Sequence, residues 1–223
     1  EQQIHYALQR QGRPHELAAI SELTGMRGFV MAPFQLSEAH PIVVLEPEEL
    51  GEWTVPDQGE AGNREISTVE SAKPTPEADY AQRFALFTHP LHHHPERKLV
   101  LSRKQSVPKL AGFSVGKSFL AAVARYIRSF VYLCYTPQTG TWMGSTPEIL
   151  LSGERHHWHT VALAGTQPLR DGKVDEQWNS KNRQEQHLVA QYIHDQLRTL
   201  GIEGDEQGPY PIRAGEVCHL KSD

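Results

Sequence analysis

Residues 180–200 read SKNRQEQHLVAQYIHDQLRTL, the stretch with the strongest helical period in the chain. Leu188, Val189, Tyr192, Ile193 and Leu200 recur at helical spacing and predict an apolar stripe turned toward a core. At 100° per residue, Glu185 falls at the centre of that arc rather than on the opposite face. A carboxylate among core positions is costly unless it is paired or bound to a cation. Three readings stay open for it. It can form a buried ion pair with an arginine, act as a first-turn acid near the positive helix end, or bind a hard cation such as Mg²⁺.

Working outward from this helix, the preceding stretch VALAGTQPLR (161–170) runs from a buried-looking strand into Ala164-Gly165-Thr166. Such a small-residue bend lets a ligand approach backbone N–H groups, and a carboxylate is a suitable guest. Strands are predicted at Phe130 to Tyr135, Thr141 to Leu151, His156 to Leu163 and Ile212 to Leu220. The alternation in KLVLSRKQSV predicts another at Lys98 to Val107. Helices are predicted at Ser114 to Ser129 and from Thr75-Pro76-Glu77 through Tyr80, Phe84 and Phe87, with Thr75 as cap and proline in the first turn. Glu46 to Pro76 and Gly201 to Pro211 are rich in turn formers and read as surface connections. Adjacent strands without helices between them predict an α+β fold of mainly antiparallel sheets with helices outside.

Composition narrows the function classes. The 223 residues carry a net charge of −5, and the absence of a basic stripe argues against nucleic acid as partner. No run approaches the ~20 apolar residues of a membrane span, so no membrane partner is expected. Cys134 and Cys218 are too few for a disulfide framework, read as reduced and inert, and point to the cytoplasm. Histidines cluster at 89–94 and 156–159, but without cysteines or an HExxH spacing they read as solvated loops rather than a zinc site. Ala111 to Ser118, AGFSVGKS, meets a relaxed P-loop pattern. Pro108 and Lys109 part it from the strand before it, and FVYLCYTPQ ends without an aspartate for Mg²⁺, so nucleotide hydrolysis is set aside. No signal assigns an oligomeric state.

GSTPEILL (144–151) places Glu148 at a strand entry after small residues and proline; a generic acid there is solvated. Read in order, KLVLSR, GSTPEILL, ALAGT, SKNRQEQHLV and VCHL span Lys98 to Leu220. This series resembles the chorismate-binding enzymes: isochorismate synthases, salicylate synthases and the large subunits of anthranilate and aminodeoxychorismate synthases. Residues 1–74 correspond to the variable N-terminal part of that fold and 75–223 to a partial chorismate-binding core, one domain overall. The lysine at position 98, where ammonia-using members carry glutamine, is similar to the water-using isochorismate and salicylate synthases.

The resemblance implies a Mg²⁺-dependent conversion of chorismate to isochorismate, with salicylate synthesis and a non-catalytic chorismate-fold fragment as alternatives. Lys98 is then the base that activates water for attack at ring carbon two. Glu148 is the acid that protonates the hydroxyl leaving ring carbon four, and Glu185 helps hold Mg²⁺. Ala164, Gly165 and Thr166 supply backbone donors to substrate, and His219 orients the ring. Two departures stand out. Ser180 precedes Lys181 where many relatives carry an acid, and the chain stops before the segment that completes the family's two packed sheets. An incomplete C-terminal side of the fold is therefore expected.

Overall fold

The computed structural model describes residues 2–55, 77–94, 98–103, 105–215 and 217–223. Its strands are, in chain order, β1 (Gln2–Leu8), β2 (His15–Leu17), β3 (Phe29–Met31), β4 (Ile42–Leu45) and β5 (Glu49–Val55). After these come β6 (Phe130–Thr136), β7 (Gly140–Thr146), β8 (Ser152–Glu154), β9 (His157–His159) and β10 (Ala162–Pro168). The last two are β11 (Tyr210–Ala214) and β12 (Val217–Ser222). The helices are α1 (Glu77–Thr88), α2 (Val115–Arg125) and α3 (Ser180–Thr199). Helices and small, mainly antiparallel sheets make this an α+β fold. No helix among the described residues is long and apolar enough to cross a membrane.

The chain divides into two compact units. The first holds residues 1–64, 115–126 and 131–145. In it β1 pairs antiparallel with β5 along its whole length, from Gln2 opposite Val55 to Leu8 opposite Glu49. The strands β2, β4 and β3 form a three-stranded antiparallel sheet. Ile42, Val43 and Val44 of its central strand are all buried, as a short unbroken apolar run requires. Glu49 to Val55 thus belongs to a sheet and not to a linker; its cross-strand partner, Gln2–Leu8, stands more than forty residues away, so no local pattern reveals the pair. Residues 56–76 of that expected linker, and the Thr75 cap, lie outside the described residues.

The second unit carries the antiparallel sheet β10-β12-β11, with α3 packed on β10 and β12. Along β12, Cys218, Leu220 and Ser222 are buried while Val217, His219 and Lys221 are half-buried. This two-residue period places His219 on the face opposite the core. Trp178, Cys218 and Leu220 cluster under Leu169 and Val174. Both cysteines are free.

Helix α3 confirms the expected helix almost to the residue, and its ends explain why. The Asn179 side chain accepts from the Asn182 N–H at 2.8 Å, capping the first turn. At the other end Gly201 has φ +69°. The N–H groups of Gly201 and Ile202 donate to the carbonyls of Arg198 and Leu197 at 3.0 Å each, a paired closure that glycine permits.

Other expectations need correction. The buried face of α3 is Asn182, Gln186 and Ala190, whereas Tyr192 and Leu200 are 64% and 72% exposed. Polar side chains win this face because each finds a partner on the sheet: Asn182 donates to Thr166 O, and Gln186 to Ser222 Oγ at 2.8 Å. The described residues between 98 and 107 form no strand. Their alternation lacks a neighbouring strand to take up the backbone groups, and Val100 is 77% exposed. The strand expected to reach Leu151 stops at Thr146, before Pro147, which has no N–H to offer a ladder. The strand expected over His156 to Leu163 divides into β9 and β10. The one expected over Ile212 to Leu220 is a hairpin of β11 and β12 that turns at Gly215, φ +62°.

The cap gives a direct test of the fold. Asn179→Ala is expected to cost about 1 kcal/mol of stability, read as a lower urea midpoint with unchanged slope, while Asn179→Ser stays near wild type.

Candidate active site

The geometry of the site starts from a fault in a strand. Ala164 pairs with Leu220 and Thr166 with His219, which leaves Gly165 without an opposite residue: a β-bulge. Gly165 adopts φ +72°, and a side chain there would put Cβ 2.8 Å from the Asn182 carbonyl oxygen of α3. Both the left-handed backbone and the close helix approach call for glycine.

Side chains meet the bulge from two sides. The Gly165 N–H lies near enough to the Glu185 carboxylate to lower its pKa, and the Gly165 oxygen lies 3.1 Å from His219 Nδ1. Thr166 Oγ1 is 3.2 Å from the same nitrogen. On its other side Asn182 Nδ2 reaches the Thr166 carbonyl at 3.4 Å. The bend is thus gripped from α3 and from β12.

Lys98 completes the group. Its Nζ lies 2.9 Å from Glu185 Oε1, with the two side chains 35% and 31% exposed. Burial pushes the Glu185 carboxyl up, but the Lys98 ammonium and the Gly165 N–H together bring it below the usual carboxylate range. Of the readings open for Glu185, an ion pair is realised, though with a lysine rather than an arginine.

The structure therefore brings Lys98, Glu185, Gly165, Thr166 and His219 together, with buried Ala164 directly before the bulge. Glu148 stands apart. Its side chain is exposed, its own N–H bonds Thr146 Oγ1 at 3.1 Å, and among the described residues no hydrogen bond or ion pair ties its carboxylate to the cluster. Asn182 is the positioning side chain that pattern reading passed over. Its signal was present: with Gln186 and Ala190 it repeats every four residues beside Glu185.

A separate apolar cavity of about 500 Å³ runs along the second half of α3, between Trp158, Ala190, Ile193, Leu197, Ile202 and Asp223. None of the expected site residues lines it. Among the described residues, no three His, Cys, Asp or Glu side chains gather as a metal site. For the proposed Mg²⁺, the fit rests on Glu185 alone. That carboxylate already accepts a positive charge at 2.9 Å, and Mg²⁺ is commonly held by one or two carboxylates with water and ligand oxygens.

The family described as chorismate binding enzyme matches residues 44–222. The chain belongs to this family. Neither curated proteins nor solved structures give a match. The match to the chorismate-binding family covers every residue of the cluster as well as Glu148.

Since the folded-state pKa of Glu185 lies below its ordinary 4.5, its contribution to stability is full above that value. It is lost as pH falls through the folded pKa. Denaturation of wild type and Glu185→Gln between pH 7 and pH 3 is expected to show the two converging below about pH 4.5, the extra acid sensitivity residing in wild type.

Proposed function

We propose that this protein is a chorismate-utilising enzyme of the isochorismate synthase type, with water as nucleophile. The observation that carries the reading is Lys98 held against Glu185 beside the Gly165 bulge: base, metal carboxylate and backbone donors of the expected mechanism in one place. Chorismate is an anionic ring with two carboxylates. The bend at Ala164, Gly165 and Thr166 suits one of them, because a bulged backbone can turn N–H groups toward an anion.

In the reaction, a water oxygen bonds to ring carbon two, the double bonds shift, and the hydroxyl leaves ring carbon four. One water enters and one departs, so the net change is an isomerisation. Lys98 takes the proton of the attacking water. An ammonium bound to a carboxylate has no lone pair, so Lys98 must first leave Glu185 and lose its proton. Both side chains are about one-third exposed, and a pair so placed holds together with only about 1 kcal/mol or less. Release on substrate entry is therefore cheap. Glu185, once free, would hold Mg²⁺ together with the ring carboxylate and water; the ion would neutralise charge as the double bonds move. Glu148 as the acid for the departing hydroxyl rests on the family resemblance alone. The two free cysteines suit the reducing cytoplasm.

Chromatography of chorismate incubated with protein and Mg²⁺ tests the reading, isochorismate being the expected product. Lys98→Ala is expected to lower turnover at least 100-fold while chorismate affinity changes little. Near-normal turnover in that variant would remove Lys98 as the base. Salicylate as the product would move the assignment to the neighbouring activity, and chorismate binding without any product would make the chain a non-catalytic binder.

A further inference from the structure

His219 faces two polar neighbours through one nitrogen: Nδ1 lies 3.1 Å from Gly165 O and 3.2 Å from Thr166 Oγ1. The threonine hydroxyl can give or take a proton and decides nothing. The carbonyl oxygen can only accept, so a neutral imidazole satisfies it only with the proton on Nδ1. The opposite tautomer would set the Nδ1 lone pair against the carbonyl. It would also withdraw the donor that His219 offers to that oxygen, in a glycine that is buried and has no opposite residue on β12. Setting a lone pair against a buried carbonyl costs far more than the small intrinsic preference between tautomers. The assignment comes from the hydrogen-bond network.

We propose that the Gly165 bulge locks His219 in the Nδ1–H tautomer, making Nε2 a hydrogen-bond acceptor that receives a hydroxyl of the bound ligand. Resting on the chorismate reading, this divides the ligand's polar groups. A carboxylate offers no hydrogen and cannot pair with an imidazole lone pair, so both carboxylates fall to backbone N–H groups and cations. The ring hydroxyl at carbon four is the donor that matches Nε2. His219 then orients the ring by the group that leaves in the reaction.

The test is ¹⁵N NMR of histidine-labelled protein at neutral pH, with His219→Asn identifying the His219 signals by their loss among 13 histidines. Should that variant not fold, His219→Gln serves the same purpose. In free wild type, Nδ1 is expected to carry the proton and Nε2 to resonate as an unprotonated nitrogen; a proton on Nε2 overturns the proposal. Chorismate is then added, and in parallel an analogue without the ring hydroxyl. The Nε2 resonance is expected to shift on adding chorismate and to stay in place with the analogue. If chorismate moves the Gly165 and Thr166 amides but not Nε2, the acceptor role is overturned and the chorismate reading stands. If saturating chorismate moves no signal, the chorismate reading fails along with the ligand role, and the free-protein tautomer still decides the first half.

Discussion

A single peptide group, that of Gly165, is out of register with its partner strand, and the candidate site is arranged around it. Had β10 continued regularly, Gly165 would have stood opposite a residue of β12. The contact of His219 Nδ1 with the Gly165 carbonyl depends on that irregularity. The bulge persists because α3 lies so close that no side chain fits at position 165. That closeness in turn depends on α3 presenting Asn182, Gln186 and Ala190 to the sheet instead of larger apolar residues. Small or polar residues on a packed helix face are stable only when their polar atoms are satisfied. Here the Thr166 carbonyl and the Ser222 hydroxyl satisfy them.

The electrostatics follow from the same arrangement. Glu185 sits one residue before a buried position, deep enough to feel desolvation and shallow enough to keep contact with water. Lys98 comes from a segment with no regular structure and no ladder to hold it. Fixing the carboxylate on a rigid helix and the ammonium on an irregular segment makes the lysine the partner that can move. The apolar cavity along the second half of α3 lacks the lysine and the bulge. Chemistry therefore favours the polar site.

Local signals were legible where a local cause governs the structure. The limits of α3 follow from Asn179 and Gly201, and the bend at Ala164-Gly165-Thr166 follows from its small residues. Glu185 was recognisable as an anomalous acid on a half-buried face. Features set by distant partners were not legible. KLVLSRKQSV has the alternation of a strand, yet pairing needs a neighbour, and the sequence cannot announce its absence. Glu49–Val55 looks like linker because its partner is Gln2–Leu8. The apolar stripe of α3 misplaced the core face, since hydrophobic period measures transfer from water and ignores the hydrogen bonds that seat Asn182 and Gln186. Glu148 was legible through resemblance to a family, and geometry adds nothing to that role.

A crystal structure of the protein with chorismate and Mg²⁺ would test the central claim most directly. On this account a ligand carboxylate lies within hydrogen-bonding distance of the N–H groups at the Gly165 bulge, the ring hydroxyl lies against His219 Nε2, and Lys98 has moved off Glu185. Chorismate bound instead in the cavity beside Ile193 and Leu197, with the Lys98–Glu185 pair still closed, would contradict it.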